Sequence, residues 1–577
     1  MPITDTIAAT LPMLTVLVVL PAVGALLLLI PALRTHGRKV ALGVSIVELL
    51  AAGHTFVALF DWGSSARYQL VESYQWIPQL GVTWSLGVNA LGAVMVILAI
   101  ALVPLVLLAG WDEDTDANEG GAYAALVLLL ESFMVLIFAA FDVIVFYIAF
   151  EAMLIPLYLM IGRFGHGPVE ARKAAAMKFL LFSLAGGLAM LGGLVALWGL
   201  GGASVNSPEF FRLDMLSQAT TGAPLALQMG VFISFMVAFA IKAPMVPVHT
   251  WLPDTAAVAR PGTSVLLVGV LDKIGVFGMI LLCVRLFPAA AAEAKWVLII
   301  AAVVSIIWGG LAAIGQDDIL RLVSYTSVSH FGFMVLGTFI GSAVAMTGAM
   351  FYMVAHGVSI AAMFLLSGWL ARRGGTQDMR EFSGVQRITP VLAGLWLVSG
   401  LASVALPFLS GFVPEYLVLM GTWSVSPVVA VCAATGVVIA ALYLLLPYQR
   451  VFTGPPSDEK PISTMPDLNT REKSVMVPLV AAMVILGVVS APLVSTLNAL
   501  SQDSVTPLVS AAGGKGGAGQ GADSAPSGAG TGADSAPSGA GAAQSGAPAT
   551  TAPSGTGETP PSGATTPQSD STEGSAQ

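Results

Sequence analysis

Apolar runs long enough to cross a bilayer alternate along most of this chain with short breaks rich in charge, glycine and proline. A spanning helix needs about 20 predominantly apolar residues. By that measure the sequence predicts about fourteen spans, starting near residues 11, 39, 88, 121, 141, 178, 227, 262, 295, 322, 346, 388, 426 and 475. The expected fold is an all-α polytopic membrane protein. Two spans are interrupted: the seventh reads AIKAPMVPVHTWLP, with Pro244, Pro247 and Pro253, and the twelfth reads VALPFLSGFVPEYL, with Pro407, Gly411 and Pro414. Proline removes an amide donor and clashes with the preceding turn, so both helices should be discontinuous at membrane depth. Irregular backbone is tolerated there only where it is buried in protein or lines a cavity.

Spans 4–8 and 9–13 then form two five-helix units, and each broken helix is the fourth member of its unit. Five is odd, so successive units insert with opposite orientation, the inverted repeat found in many transporters. The resulting segments are 1–120 for the first three spans, 121–286 and 287–448 for the two units, 449–500 for a loop and the last span, and 501–577 for a tail. In the tail Gly, Ala, Ser, Pro and Thr dominate, and the decapeptide GADSAPSGAG begins at both Gly521 and Gly532. Such a composition cannot bury enough apolar surface to order itself, so disorder is expected there.

Composition agrees with the pattern. Of 577 residues 56% are hydrophobic and 10% charged, with mean hydropathy +0.85, against about 25% charged in ordinary soluble domains. No basic stretch suggests a nucleic-acid partner; the lipid bilayer is the expected surroundings. Most basic residues, among them Arg34, Arg38, Arg163, Arg260, Arg372 and Arg471, fall in odd-numbered loops. That bias places those loops in the cytoplasm and both termini outside. The loop WDEDTDANEGG lies on the same side, where acidic residues weigh little in the rule.

Against this apolar background, four charges within spans stand out: Glu151, Lys242, Lys273 and Glu415. Each costs about 2.5–3.5 kcal/mol at the centre of a spanning helix, and the default reading is an ion or proton path. Glu151 and Lys242 are the first candidate pair, because burial and an opposite charge move their proton affinities in opposing senses, with Lys273 next to receive the proton. A static pair that only fixes helix packing is the alternative. Glu131 fits a lone protonated glutamate between helices as well as a pathway role. His330 and His356 suit a relay, with Ser324, Thr326, Ser327 and Ser329 offering a hydrated polar route. His249 is an entry group or a loop anchor. The six histidines show no ligand spacing for a metal. No dinucleotide fingerprint, P-loop or multi-cysteine cluster is present, so redox or ATP chemistry would lie on partner chains.

The run AIKAPMVPVHTWLPDTAAVARPGTSVLLVGVLDKIGVFG resembles the central signature of the antiporter-like subunits of proton-pumping NADH-quinone oxidoreductase, respiratory complex I. DVIVFYIAFEAMLIPLYLMIG, GQDDILRLVSYTSVSHFGFMVLG and MVAHGVSIAAMFLLSG look like its other signatures, and the resemblance spans roughly residues 80–450. Glu415 in the broken twelfth span looks like the M-type subunits; the L and N types and the antiporter counterparts generally carry lysine there. The chain also ends without the lateral helix expected of the L type.

The resemblance implies a proton-translocating subunit of a bacterial cell membrane without a cofactor of its own. Partner subunits would hold FMN, iron–sulfur clusters and quinone, and L-type and N-type subunits would be its neighbours. It further implies that Glu151 and Lys242 are the coupling pair, Lys273 the central relay, His330 and His356 the horizontal link and Glu415 the terminal exchange residue. Two features depart from the family. Leu320 replaces a lysine beside Gln316, Asp318 and Arg321, and Asp272 is an extra carboxylate. Neighbouring helix positions do not face each other, so Asp272 need not pair with Lys273, and a pairing with another helix that alters proton affinity locally is open to it. A multi-chain sodium/proton antiporter subunit and a non-pumping scaffold are the competing expectations.

Overall fold

The first described element is a short strand. In this computed structural model, which describes residues 6–64, 67–201, 209–456 and 465–513, that strand is β1 (Thr6–Ala8), paired in parallel with β2 (Tyr68–Ile77). β2 forms an antiparallel hairpin with β3 (Val82–Val88), in register Tyr74 to Trp84 and Gln75 to Thr83. The fold is mainly helical as expected, and this small sheet between the second and third spans is an addition to it. Its signal is the alternation in YQLVESYQWI, too short and too polar to register as a span. The hairpin ties span ends together. Glu72 of β2 accepts the amides of Leu14 and Thr15 at 2.8 and 3.1 Å, capping the open N-terminus of the first helix. Asp142 accepts the Thr83 amide at 2.9 Å and caps the fifth span through Ile144 and Val145.

The rest is helical. Among the described residues eleven helices are long and apolar enough to cross a membrane, or twelve if the bent pair Thr470–Val488 and Ala491–Ala512, with 68° between its parts, is one span. The expected count of fourteen is therefore not met by length. Met13–Leu27 has 15 residues. The twelfth position is divided into Pro390–Ser403, with 14, and Phe412–Trp423, with 12. Exposure sorts the helices by place. Pro261–Val284 and Ala343–Gly374 are buried throughout their most apolar windows, whereas only a third of the Gly37–Leu59 window is. Outer helices present large apolar side chains such as Leu50, Val297 and Val428, a surface stable only against lipid or other protein. The two central helices carry Lys273 and His356.

Both expected breaks are present. Leu225–Lys242 stops at Lys242 and the chain resumes helix at Trp251–Val258. Freed backbone groups find partners: Val246 N donates to Ser305 Oγ at 3.0 Å, and Trp251 Nε1 donates to the Ile241 carbonyl at 3.0 Å. Gly275 of the next span lies against the break, where a Cβ would stand 2.5 Å from Ala243 N and 2.6 Å from the Phe239 oxygen. The second break, between Ser403 and Phe412, turns through positive φ at Ala405 (59°) and Phe408 (74°).

The odd-numbered loops meet at one end, around the acidic loop. Arg260 holds Asp114 with two bonds of 2.6 and 2.9 Å and stacks over Tyr123. Arg38 donates to the Trp111 and Asp114 carbonyls, Arg372 to that of Asp112, and Arg471 pairs with the Asp112 carboxylate. The acidic loop WDEDTDANEGG is thus the acceptor for the guanidinium groups around it. The sequence predicts disorder from residue 501, but the helix Ala491–Gly513 continues past that point with Leu508 buried and Asp503 paired to Arg285; the repeated decapeptide of the tail lies outside the described residues.

Candidate intramembrane proton path

Lys242 ends its helix fully buried, and its Nζ has no hydrogen-bond partner among the described residues; it lies 5.5 Å from the Phe150 ring centre and 5.2 Å from that of Phe179. Desolvated cation–π contacts contribute about 2 kcal/mol, too little to replace hydration of an ammonium, so the site favours nearby negative charge. Two carboxylates act on it, Asp272 more strongly than Glu151. Glu151 is half-buried on the helix Val143–Ala152, and its Oε1 is unpartnered. It reaches toward Gly187, where a Cβ would stand 1.4 Å from that oxygen. The expected Glu151–Lys242 pair is therefore open in this structure, with no direct contact between the two.

Asp272 is fully buried with both carboxylate oxygens unpartnered. Lys242 is its strongest charged neighbour, ahead of Lys273. Among the described residues Asp272 forms no ion pair with either lysine, and both influence it through space.

Lys273 follows a π-helical turn, Leu267–Leu271. Such turns shift the carbonyl ladder and are frequent at functional sites. Here the Lys273 ammonium donates to the Val268 carbonyl at 2.5 Å and to His356 Nδ1 at 2.8 Å. An ammonium has no acceptor capacity, so this nitrogen of His356 accepts and Nε2 carries the proton. His356 Nε2 has no partner, and its ring lies 5.1 Å from that of His330, centre to centre. His330 Nδ1 bonds the Tyr352 hydroxyl at 2.7 Å, and the same hydroxyl donates to Glu415 Oε2 at 2.7 Å. Tyr352 spends its proton on Glu415, so His330 Nδ1 is the donor to Tyr352. Its Nε2 then accepts from the Tyr443 hydroxyl at 3.1 Å.

Lys273, His356, His330, Tyr352 and Glu415 thus form one file, all buried, closed by direct hydrogen bonds except between the two imidazoles. The sequence reading missed Tyr352 and Tyr443. Tyr352 stands four residues before His356, on the same helical face, so the spacing carried the signal; Tyr443 had none beyond its place in an apolar run. The serine and threonine route fares differently. Ser324, Thr326, Ser327 and Ser329 each donate to a backbone carbonyl, so these hydroxyls act on helices rather than on the file. His249 stands in the first break with its Nδ1 unpartnered and its ring beside Tyr325. Glu131 lies off the file, against Glu48 of the second span.

A helical bundle interrupted at two matched spans, with ionisable side chains joined through its centre, defines the antiporter-like class of membrane subunits. The profile described as NADH:quinone oxidoreductase/Mrp antiporter, TM matches residues 140–440. Subunit M of NADH-quinone oxidoreductase from Mycobacterium tuberculosis is 38% identical over 530 residues, covering 86% of this chain and 94% of the relative. The Rhodobacter capsulatus subunit M is 34% identical over 82% of this chain and 93% of its own length. Among solved structures, a chain of respiratory complex I from Thermus thermophilus with bound NADH superposes with TM-score 0.76 at 30% identity, over 86% of this chain and 99% of that one. A chain of the Mrp complex from Dietzia superposes with TM-score 0.74 at 21% identity, over 87% and 99%, which is likeness of fold. The chain belongs to the NADH-quinone oxidoreductase subunit M family.

Proposed function

We propose that this chain carries protons through the membrane arm of an NADH-quinone oxidoreductase along the file Glu151, Lys242, Asp272, Lys273, His356, His330, Tyr352 and Glu415. The observation that carries the reading is the Tyr352 hydroxyl, bonded at 2.7 Å to His330 on one side and Glu415 on the other. A hydroxyl in that position accepts a proton from the imidazole as it releases its own to the carboxylate. Quinone reduction on partner chains, which hold the FMN, iron–sulfur clusters and quinone, changes the field at Glu151. When the Glu151 side chain swings from Gly187 toward Lys242, it stabilises the ammonium there; when it withdraws, Lys242 releases its proton toward Asp272 and Lys273. The segments 121–286 and 287–448 act as the two half-channels, related as inverted repeats, and each break gives the backbone room beside a charge.

L-type and N-type antiporter-like subunits flank the chain. It resides in a bacterial cell membrane with the arginine-bound acidic loop in the cytoplasm and both termini outside; the gathering of odd-numbered loops at one end supports that arrangement. Glu415, in place of the lysine usual in antiporter counterparts, favours the respiratory complex over a sodium/proton antiporter. The test is Lys242→Met and Glu151→Gln in the reconstituted complex. The reading expects each to depress NADH-driven proton pumping, and unchanged pumping together with unchanged quinone turnover in both would overturn it.

A further inference from the structure

Outside the file, a second pair of ionisable groups lies wholly within the hydrocarbon region. Glu48, in GVSIVELLAAG of the helix Gly37–His54, and Glu131, in LVLLLESFMVL of the helix Ala117–Ala139, are both fully buried. Their carboxyl groups are within hydrogen-bonding reach of one another, yet all four oxygens lack a partner. Protonation resolves both facts, whether the pair holds one proton or two. Ionised carboxylates only accept, so two of them in contact satisfy nothing and repel; one proton converts the contact into an O–H···O⁻ bond.

Among the described residues no other group serves instead. The hydroxyls adjoining the pair are already committed, Ser45 to the Leu42 carbonyl and Ser132 to that of Val18. The helices Met13–Leu27 and Ala90–Ala109, packed against both, contain no ionisable residue. Of the other elements in contact, Pro31–Arg34 carries Arg34 in the odd-loop end, Val143–Ala152 carries Tyr147 and Glu151, Leu154–Gly162 carries Tyr158, and β3 carries none. None of these acts on the pair; each glutamate's only charged influence is the other. An uncompensated double negative charge in such a setting is far costlier than a single delocalised one.

We propose that Glu48 and Glu131 form a proton-sharing carboxyl pair that binds at least one exchangeable proton between the second and fourth spans, at a site separate from the Lys273–Glu415 file. The inference does not rest on the path proposed above, since neither residue touches it. The bound species is a bare proton: no third oxygen ligand is offered, whereas an alkali or alkaline-earth cation takes several.

The intact complex with Glu48→Gln, Glu131→Gln and both changes together tests this by pH-difference infrared spectroscopy. The expected result is a protonated-carboxyl C=O band, sensitive to deuterium exchange, that shifts in each single variant and disappears in the double one. A band that is absent, or one that a single variant removes while the other leaves it unshifted, would overturn the pair. Glutamine keeps an N–H···O bond across the contact, so the single variants should assemble.

A second measurement needs only the wild type. Dicyclohexylcarbodiimide attacks protonated carboxyls within membranes, and mass spectrometry should find Glu48 or Glu131 labelled, less so as pH rises. An unlabelled pair beside labelled intramembrane carboxyls in the same sample, or protection by sodium at constant pH, would contradict a proton site.

Discussion

At the scale of single residues, the account turns on side chains whose polar atoms have few places to go. Gly187 is the clearest case. A Cβ there would stand 1.4 Å from Glu151 Oε1, but a carboxylate at the end of a flexible side chain can move aside. Gly187→Ala should therefore leave assembly intact while displacing Glu151 from its withdrawn position. Proton pumping per NADH should fall although every charge is retained; a wild-type ratio would show that this rotamer is irrelevant. Tyr443→Phe tests a subtler point. Its hydroxyl fixes the acceptor nitrogen of His330, and losing a hydrogen bond of this kind costs about 0.5–1.5 kcal/mol. The expected drop in pumping rate is about two- to tenfold, smaller than that for removing the bridging Tyr352 hydroxyl. The charged members of the file were legible in the sequence because charge inside apolar runs is conspicuous. Tyr352 and Tyr443 were not, because tyrosine is unremarkable in a span until a partner is seen beside it. Glu48 was overlooked for a different reason: its helix is the least apolar of the early spans and begins at a basic loop, so one more charge did not stand out.

At the scale of elements, the two broken helices were predictable from their prolines, and the structure places them where the sequence reading had them. The hairpin was not predicted, since a period-two pattern of ten residues competes poorly with twenty-residue apolar runs on either side. Span lengths were the other weak point. Runs of apolar letters do not say where a helix bends, so the last span became two segments at 68° and the first fell short. Packing at the first break gives a direct prediction. Gly275→Ala would place a methyl 2.5 Å from Ala243 N and 2.6 Å from the Phe239 oxygen, both backbone atoms that cannot yield cheaply. Overpacking of this kind costs about 1–3 kcal/mol. The thermal midpoint of the purified complex should drop, and with it the yield of assembled complex; equal stability would mean that the two helices separate freely.

At the scale of the whole molecule, the cluster of arginines around the acidic loop holds five of the odd-numbered loops at one end, and its members do not contribute alike. Asp114 is held by two bonds to Arg260, so Asp114→Asn should lower stability by about 3–5 kcal/mol, the usual consequence of unpairing a buried partner. Glu113 is different. Burial raises its carboxyl above the ordinary 4.5, with Arg260, Arg372 and Arg38 only partly opposing. The unfolded chain therefore releases that proton first as pH rises. Glu113 then subtracts stability progressively through the window above 4.5, up to its raised folded value. Glu113→Gln should stabilise the protein at neutral pH, or at least not weaken it, and thermal unfolding of the two variants side by side would separate these roles.

The central claim, that protons leave the lysine–histidine file through Tyr352 to Glu415, is tested most directly by NADH-driven proton pumping of reconstituted complex carrying Tyr352→Phe. The ring stays and only the bridging oxygen is lost, with about 1.5–3 kcal/mol of hydrogen bonding to a charged group. The account predicts at least about a tenfold fall in pumping rate in fully assembled complex. Pumping at the wild-type rate would contradict it.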